Sequence, residues 1–463
     1  MARSKPTQAE TERVSGAGEG TPLRRQGGFK PVLSLWALVA FGLMFIGPTA
    51  PYVFFGIGSV TSRGHFALVY LIAVMAVSFT AVSYGRMAKA FPEAGSTYAY
   101  ASRALHPVLG YLSGWAMLLD YVLTPMLCVI IISVTARKLM PAMPYTLWVL
   151  LSAGTLTAIN LCGIEMTSRA TMVLNVILVG SVSWFVVAAV RALVHGAGVG
   201  HLFSIQPFYN PQTFSLHTIM AASPIAVLCF LGFDGISTLA EDAKNPQKDI
   251  GRATILVCVV AGVLFVLQTY LAQLVWPDYS TFAPVETALS DIGRLVGGQT
   301  LFLVIALSVV AQAWVGGITA QASASRLLFG MARDGRLPYA VFGYVHPKLR
   351  TPIYSVLLMG GMAAIGAAAL DLNEAAQLVN FGACLGFMAV NAATLSHYYF
   401  RLRQRSGAQF WLNLAFPGFG VIICFYVWLS ISHVAMRLGV AWTVLGLVYL
   451  TYLTRGFRKK LVE

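Results

Sequence analysis

Charged residues are scarce in this sequence, where they make up 10% of 463 residues. A soluble globular domain carries about 25% charged residues, so this composition excludes an ordinary soluble protein. Hydrophobic residues make up 57% of the chain, in runs long enough to cross the roughly 30 Å hydrocarbon core of a bilayer. The net charge of +14 sits in short loops between these runs. The sequence therefore predicts a polytopic protein whose partner is the lipid bilayer, and no nucleic-acid partner.

Disulfide, metal and catalytic patterns are also lacking. All six cysteines fall inside apolar stretches, and neither CxxC nor Cys/His spacing is present. The histidines form no ligand spacing and no acid-base cluster. We therefore expect no cofactor, no metal and no catalytic residue, and the alternative of a membrane-embedded enzyme finds no support in the residues.

The first 30 residues are polar and basic, and they lack the apolar region of a signal peptide. We therefore expect residues 1–30 to form a disordered cytoplasmic tail. Signalling through this tail, as in a sensor derived from a membrane carrier, is an alternative, but the tail lacks the pattern of a folded domain.

The hydrophobic pattern predicts twelve membrane helices. Their expected ranges are 33–59, 66–89, 107–136, 145–163, 167–194, 217–240, 250–276, 300–330, 353–370, 374–398, 410–429 and 434–455. With the N-terminus in the cytoplasm, the cytoplasmic segments hold 25 of the 31 basic residues, which is the bias expected of an inner-membrane protein with both termini inside. An amphipathic stretch at 286–297 is too short to span and predicts a surface helix on the outer face.

Two of these helices carry breaks near their middle. Helix 1 contains Gly47, Pro48 and Pro51, and helix 6 contains Gly232 and Gly235. Proline lacks an N–H and clashes with the preceding turn, and freed backbone groups are tolerated at membrane depth only where they meet protein or line a cavity. A matched pair of interrupted helices indicates a carrier with its binding site at the breaks, although ordinary kinks are the alternative.

Only two of the seventeen acidic residues, Asp120 and Asp234, fall well inside predicted helices. A carboxylate at bilayer depth costs about 2.5–3.5 kcal/mol on insertion scales, so each is a candidate functional group. Asp234 lies in the second break, where it could meet an ammonium group or be satisfied by backbone N–H groups. Asp120 is the candidate for proton coupling or a second contact, with a structural aspartate as the alternative. No Lys or Arg lies deep in a helix, which favours a cation or a proton as the missing partner.

Four stretches resemble the amino acid–polyamine–organocation superfamily of permeases, over nearly the whole chain. They are FPEAGSTYAYASRAL at 91–105, GWAMLLDY at 114–121, FLGFDGISTLAEDAKNPQKDIGRAT at 230–254, and SRLLFGMARDGRLP at 325–338 with FGYVHPKLRTP at 342–352. Within the superfamily, the sequence is most similar to putrescine importer-like permeases.

The resemblance implies an all-α, LeuT-type fold of two inverted five-helix repeats, 31–196 and 197–399, followed by helices 11 and 12 in 400–463. It implies a substrate between the breaks of helices 1 and 6, flanked by helices 3, 8 and 10, and alternating access driven by protons or exchange. It also implies an inner gate that includes the acidic loop residues Glu241 and Asp242.

The sequence departs from the family pattern in three places. The first break reads GPTAP (47–51) rather than a Gly-Ser-Gly-like turn. Its two prolines lack the backbone N–H groups that could bind the α-carboxylate of an amino acid. Val53 stands where putrescine importers carry an aspartate, which favours a monoamine or a diamine held at one end. Helix 5 lacks the lysine that some relatives use as a fixed cation.

The predicted substrate site is a set of residues around the two breaks and helix 3. It comprises Gly47, Pro48, Thr49, Ala50, Tyr52, Asp120, Tyr121, Phe230, Gly232, Phe233, Asp234 and Gly235. Trp314, Ser323, Ser325, Asn380 and Asn391 are further candidates, either for the path or for contacts between helices. The leading hypothesis is a proton-coupled importer of an amine or polyamine, and the alternative is an amino acid permease or exchanger.

Overall fold

The structure, a computed structural model, describes residues 33–91, 96–162, 168–240, 243–333, 338–347, 349 and 351–454. The predicted tail at 1–30 and the proposed gate residues Glu241 and Asp242 lie outside the described residues. Within the described ranges the chain is helical and contains no strand, only an isolated bridge between Leu33 and Ala243. The prediction of an all-α membrane protein is confirmed.

Seventeen α-helices are present in the described residues. They are α1 (Leu35–Ile46), α2 (Ala50–Thr61), α3 (Phe66–Ala90), α4 (Ser96–Ala104), α5 (Pro107–Leu139), α6 (Tyr145–Leu161), α7 (Ser168–Val194), α8 (Leu216–Leu228), α9 (Gly235–Thr238), α10 (Pro246–Val275), α11 (Ala288–Arg333), α12 (Tyr339–Phe342), α13 (Ile353–Ala369), α14 (Leu372–Thr394), α15 (Ala408–Phe410), α16 (Phe416–Leu429) and α17 (His433–Leu453).

Eight helical spans within the described ranges are long and apolar enough to cross a membrane, and the bent pair α1 and α2 makes a ninth. Three shorter apolar helices, α6, α8 and α13, coincide with the predicted helices 145–163, 217–240 and 353–370. Length and composition thus support a multi-pass protein, and the total of twelve stays a prediction.

Two helical segments of the structure were not predicted. A short helix, α4, follows α3 where the sequence indicated only a loop. A π-helix, Leu395–Arg401, continues α14 toward its C-terminal end. Gly298, with φ 69°, divides α11, so the segment before it matches the short helix predicted at 286–297. Cys162 was placed inside a span, but it follows α6 and is exposed, because α6 ends at Leu161.

Small residues let the central helices approach closely. A Cβ on Gly85 of α3 would lie 2.7 Å from the Cα of Gly251 on α10, and a Cβ on Gly251 would lie 2.9 Å from the Cα of Gly85. Backbone contact of this kind is typical of membrane helix packing, because small residues let neighbouring helices pack closely. The α3–α10 pair is therefore packed backbone to backbone at this crossing.

Segments predicted for the same side of the membrane contact one another. On the side predicted to be cytoplasmic, the Lys244 N–H donates to the Leu33 carbonyl at 2.9 Å. On the opposite side, the Asn210 N–H donates to His65 Nε2 at 3.1 Å, and Lys138 pairs with Asp291 at 3.0 Å. The fold is therefore consistent with loops that lie alternately on the two sides of the membrane, as predicted. The cytoplasmic orientation of the termini stays a prediction.

Candidate functional site

The first break separates α1 from α2. Gly47 has φ 82° and ψ 108°, and the two helices meet at an angle of 46°. Pro51 lies in the first turn of α2, where its missing N–H has no intrahelical acceptor and its fixed φ suits a helix start. The break thus falls at 47–49, and Pro51 begins the second half-helix. The predicted interruption of helix 1 is confirmed.

The second break follows α8. Residues 229–234 form a series of turns, Gly232 has φ 108°, and the single-turn helix α9 begins at Gly235. A positive φ of this size favours glycine because it has no Cβ. The predicted interruption of helix 6 is confirmed, and Asp234 lies within it.

The two breaks touch each other. A Cβ on Gly232 would lie 3.1 Å from the backbone carbonyl of Phe45, in the last turn of α1. Beside this contact lies a cavity of about 780 Å³, a size typical of small-molecule sites. Its walls come mainly from α1, α2, α5, α11 and the 228–235 segment, with further residues from α6, α13, α14 and the loop before α13. The helices expected to flank the breaks therefore do so.

As far as the described residues define it, the cavity reaches the surface on one side of the molecule. Its lining reaches Thr351 and the exposed Leu349, which belong to the segment predicted to be cytoplasmic. Toward the other side, Phe55 packs on Phe282 with ring centroids 5.7 Å apart, and a Cβ on Gly56 would collide with the backbone of the 285–288 segment. Access is therefore open at one end and closed by packing at the other.

Seven of the twelve predicted site residues line this cavity. They are Thr49, Ala50, Asp120, Tyr121, Gly232, Asp234 and Gly235. Ser323 and Ser325 of α11 line it as well. The structure thus brings both breaks and the middle of α5 to one space.

Two carboxylates face an otherwise uncharged wall. Asp120 and Asp234 line the cavity, and its described lining contains no Lys or Arg. Because both carboxyl groups line one cavity, a charge on one changes the energy of a charge on the other. Asp120 Oδ1 accepts a hydrogen bond from the Thr124 hydroxyl at 2.8 Å, and Asp234 Oδ1 accepts one from the Gly232 N–H at 3.3 Å. Such a wall attracts cations and repels anions.

The other five predicted residues do not line the cavity. Gly47 and Pro48 form the break behind Thr49, and the Pro48 carbonyl accepts a hydrogen bond from Gln268 Nε2 at 3.2 Å. The remaining three, Tyr52, Phe230 and Phe233, are buried aromatic residues.

These three aromatics pack into the protein core. Tyr52 meets Phe185 edge-on at 6.0 Å, Phe230 packs on Tyr70 and Phe265, and Phe233 packs on Tyr84 and Phe387. Burying aromatic rings against one another is strongly favourable. The direction of side chains in an unwound segment cannot be extrapolated from helical periodicity, so the sequence alone could not decide between a cavity position and core packing for Phe230 and Phe233.

Sequence reasoning missed several polar side chains in the lining, among them Gln312, Thr124 and Asn160 on helices. Each interrupts an apolar helix with a group that needs a hydrogen-bond partner, which is a signal that the sequence does contain. Gln312 is joined to Thr49 by two hydrogen bonds, and Asn160 donates to Gln321 Oε1 at 2.9 Å.

The candidates on the later helices hold helices together. Asn380 donates to the Pro224 carbonyl at 2.6 Å, and Asn391 donates to the Thr80 hydroxyl at 2.9 Å. Trp314 packs against the core and is absent from the cavity lining. These three side chains therefore join helices or pack in the core, which is the structural one of the two alternatives that the sequence left open.

The family follows from comparison with known proteins. A family model described as "Amino acid permease" matches residues 40–458. The chain belongs to the amino acid permease family. It is 32% identical over 441 residues to the low-affinity putrescine importer PlaP of Escherichia coli, an alignment that covers 95% of this chain and 97% of that protein. The resemblance to the amino acid–polyamine–organocation superfamily is thereby confirmed.

Two further relatives show the range of solutes named in the family. The chain is 26% identical to the branched-chain amino acid permease BcaP of Bacillus subtilis, covering 90% of this chain and 92% of that protein. It is 25% identical to the methylthioribose transporter of the same organism, covering 91% and 93%. This permease is therefore a multi-pass transporter of amines or amino acids, and it is not an enzyme.

Proposed function

We propose that this permease imports a small organic amine or polyamine across the inner membrane, by proton symport with alternating access. The observation that carries the proposal is the pair of carboxylates, Asp120 and Asp234, in a cavity whose described lining has no basic side chain. An amino acid brings both an ammonium and a carboxylate, and this wall favours only the ammonium. The similarity to a putrescine importer supports the same substrate class.

In this mechanism Asp234 binds the substrate ammonium and Asp120 carries the proton. Tyr121 lines the cavity beside both acids, where an aromatic face adds about 0.5–2 kcal/mol of attraction for a cation. The opening toward Leu349 corresponds to an inward-facing state, from which the substrate is released to the cytoplasm. The breaks fall in the first helix of each proposed repeat, 31–196 and 197–399, as the inverted-repeat arrangement requires.

The test is amine uptake into proteoliposomes by the Asp234→Asn variant. A charge-assisted hydrogen bond contributes about 1.5–3 kcal/mol, so uptake should fall at least about tenfold while the protein still inserts and purifies. Asp278→Asn is the matched control, because Asp278 is exposed, lies outside the cavity and caps Ser280 through an oxygen that Asn retains. Normal uptake by Asp234→Asn would end the assignment.

The alternative function is that of an amino acid permease or exchanger, and the similarity to BcaP supports it. Competition with matched pairs separates the two, since lysine and cadaverine, or ornithine and putrescine, differ only in a carboxylate. Amines should compete better than their amino acids. Stronger competition by the amino acids would favour the permease or exchanger.

A further inference from the structure

The first break leaves a single backbone N–H to be satisfied by a side chain. Within the described stretch 47–51, the Gly47 N–H donates to the Leu43 carbonyl at 2.9 Å and the Ala50 N–H donates to the Gly47 carbonyl at 3.1 Å. Pro48 and Pro51 have no N–H. Within this stretch, Thr49 is therefore the one residue whose N–H donates to a side chain and not to a backbone carbonyl.

That donor is already occupied. The Thr49 N–H donates to Gln312 Oε1 at 3.3 Å, and the Thr49 hydroxyl bonds to the same oxygen. Gln312 comes from α11, lines the cavity, and lies 263 residues away along the chain. A Cβ on Gly47 would collide with the Gln312 amide, so the glycine leaves the space in which the amide sits.

The second break repeats the arrangement. The Gly232 N–H donates to Asp234 Oδ1 at 3.3 Å, so an internal carboxylate occupies that donor. N–H groups freed by broken helices are the usual binding points for anionic groups of a substrate, because they point into the cavity and carry partial positive charge. At both breaks of this permease, a side-chain oxygen already takes such a donor.

We propose that Gln312 is a specificity-determining residue that denies the Thr49 donor to a substrate carboxylate. An amino acid entering the cavity would have to displace the Gln312 carbonyl, and its carboxylate would meet Asp120 and Asp234 without gaining a new donor. An amine lacks the carboxylate and bears neither cost. The inference rests on the proposed function and explains how the site separates an amine from the amino acid of the same skeleton.

The test compares wild type with Gln312→Ala for inhibition of labelled putrescine uptake by ornithine, lysine and cadaverine. Removing the amide exposes the Thr49 N–H and hydroxyl to the cavity. Inhibition by the two amino acids, relative to that by cadaverine, should strengthen about tenfold, the amount expected for one hydrogen bond to a charged group. Gln312→Glu keeps an oxygen acceptor at the same place and should keep the discrimination of the wild type.

Gln268→Ala is the matched control. It removes an amide from the same break, since Gln268 Nε2 donates to the Pro48 carbonyl, but Gln268 is absent from the described cavity lining. It should therefore leave the ratio of amino acid to amine inhibition unchanged even if uptake falls. Thermal-shift measurement with cadaverine and lysine gives a second readout that does not need transport.

The outcomes separate the two proposals. Wild-type protein that binds lysine as well as cadaverine would refute both the amine assignment and the role of Gln312. Wild-type discrimination that persists unchanged in Gln312→Ala would overturn the role of Gln312 alone. An equal loss of discrimination in Gln268→Ala would show that the break as a whole, and not the Gln312 oxygen, sets specificity.

Discussion

Gly47 meets two demands that no other residue type satisfies together. Its φ of 82° lies in the left-handed region, where a side chain costs of order 1–3 kcal/mol. A Cβ would also collide with the Gln312 amide. Gly47→Ala should therefore displace Gln312 and strain the break, which should lower amine uptake and the temperature of thermal unfolding without abolishing transport.

Gly298 provides the matched control for this substitution. It has φ 69°, but a Cβ there would meet nothing within 4 Å. Gly298→Ala should carry the backbone cost alone, lower stability modestly and preserve uptake. Equal uptake by the two alanine variants would show that the collision with Gln312 does not matter.

At the scale of helices, the close crossing of α3 and α10 leads to a prediction about stability. Gly85 and Gly251 bring the two backbones into contact, so a methyl group on either must push the helices apart. Gly85→Ala and Gly251→Ala should each lower the free energy of unfolding by about 1–3 kcal/mol, the usual cost of overpacking. Thermal unfolding in detergent measures the effect.

Gly154 of α6 distinguishes packing from helix propensity. A Cβ on Gly154 would meet nothing within 4 Å, and alanine is the better helix former by about 1 kcal/mol. Gly154→Ala should leave the melting temperature unchanged or raise it. If Gly85→Ala behaved like Gly154→Ala, the close approach of α3 and α10 would not contribute to stability.

Helix positions were predictable because their signals are local. The length of each apolar run placed α3, α5, α7 and α10 within a few residues of their observed ends. Glycine and proline residues inside two of the runs marked the breaks. The π-helix at Leu395–Arg401 was missed because it has no comparable local signature.

Contacts between distant segments could not be read from the sequence. Gln312 reaches Thr49 across 263 residues and Gln268 reaches Pro48 across 220. Only the arrangement of α2, α10 and α11 determines which polar side chain meets which freed backbone group. The cavity was therefore predictable in its acids and breaks, but not in the side chains that satisfy the breaks.

Coupling of two solutes is a property of the whole molecule. Asp120 and Asp234 share one cavity, so binding of a cation at one changes the energy of a charge at the other. In Asp120→Asn the proposed proton carrier is removed while the proposed ammonium site, Asp234, stays. Exchange of labelled for unlabelled amine should persist, whereas accumulation driven by a pH gradient should be lost.

A pH-sensitive dye in proteoliposomes checks this prediction, with Asp278→Asn as the control that retains coupling. If Asp120→Asn accumulated amine at the wild-type level under a pH gradient, the proton would have to be carried by a group other than Asp120. Loss of both exchange and accumulation would instead assign Asp120 to substrate binding, the second role considered for it.

Cys162 is the one exposed thiol among the described residues, since the other five cysteines are buried. It follows α6, two residues after Asn160 of the cavity lining, and the neighbouring Leu161 carbonyl accepts a hydrogen bond from Thr351, which also lines the cavity. A maleimide fluorophore would thus attach near the open end without any engineered cysteine. A label there would test the proposed alternation between open and closed states by its fluorescence.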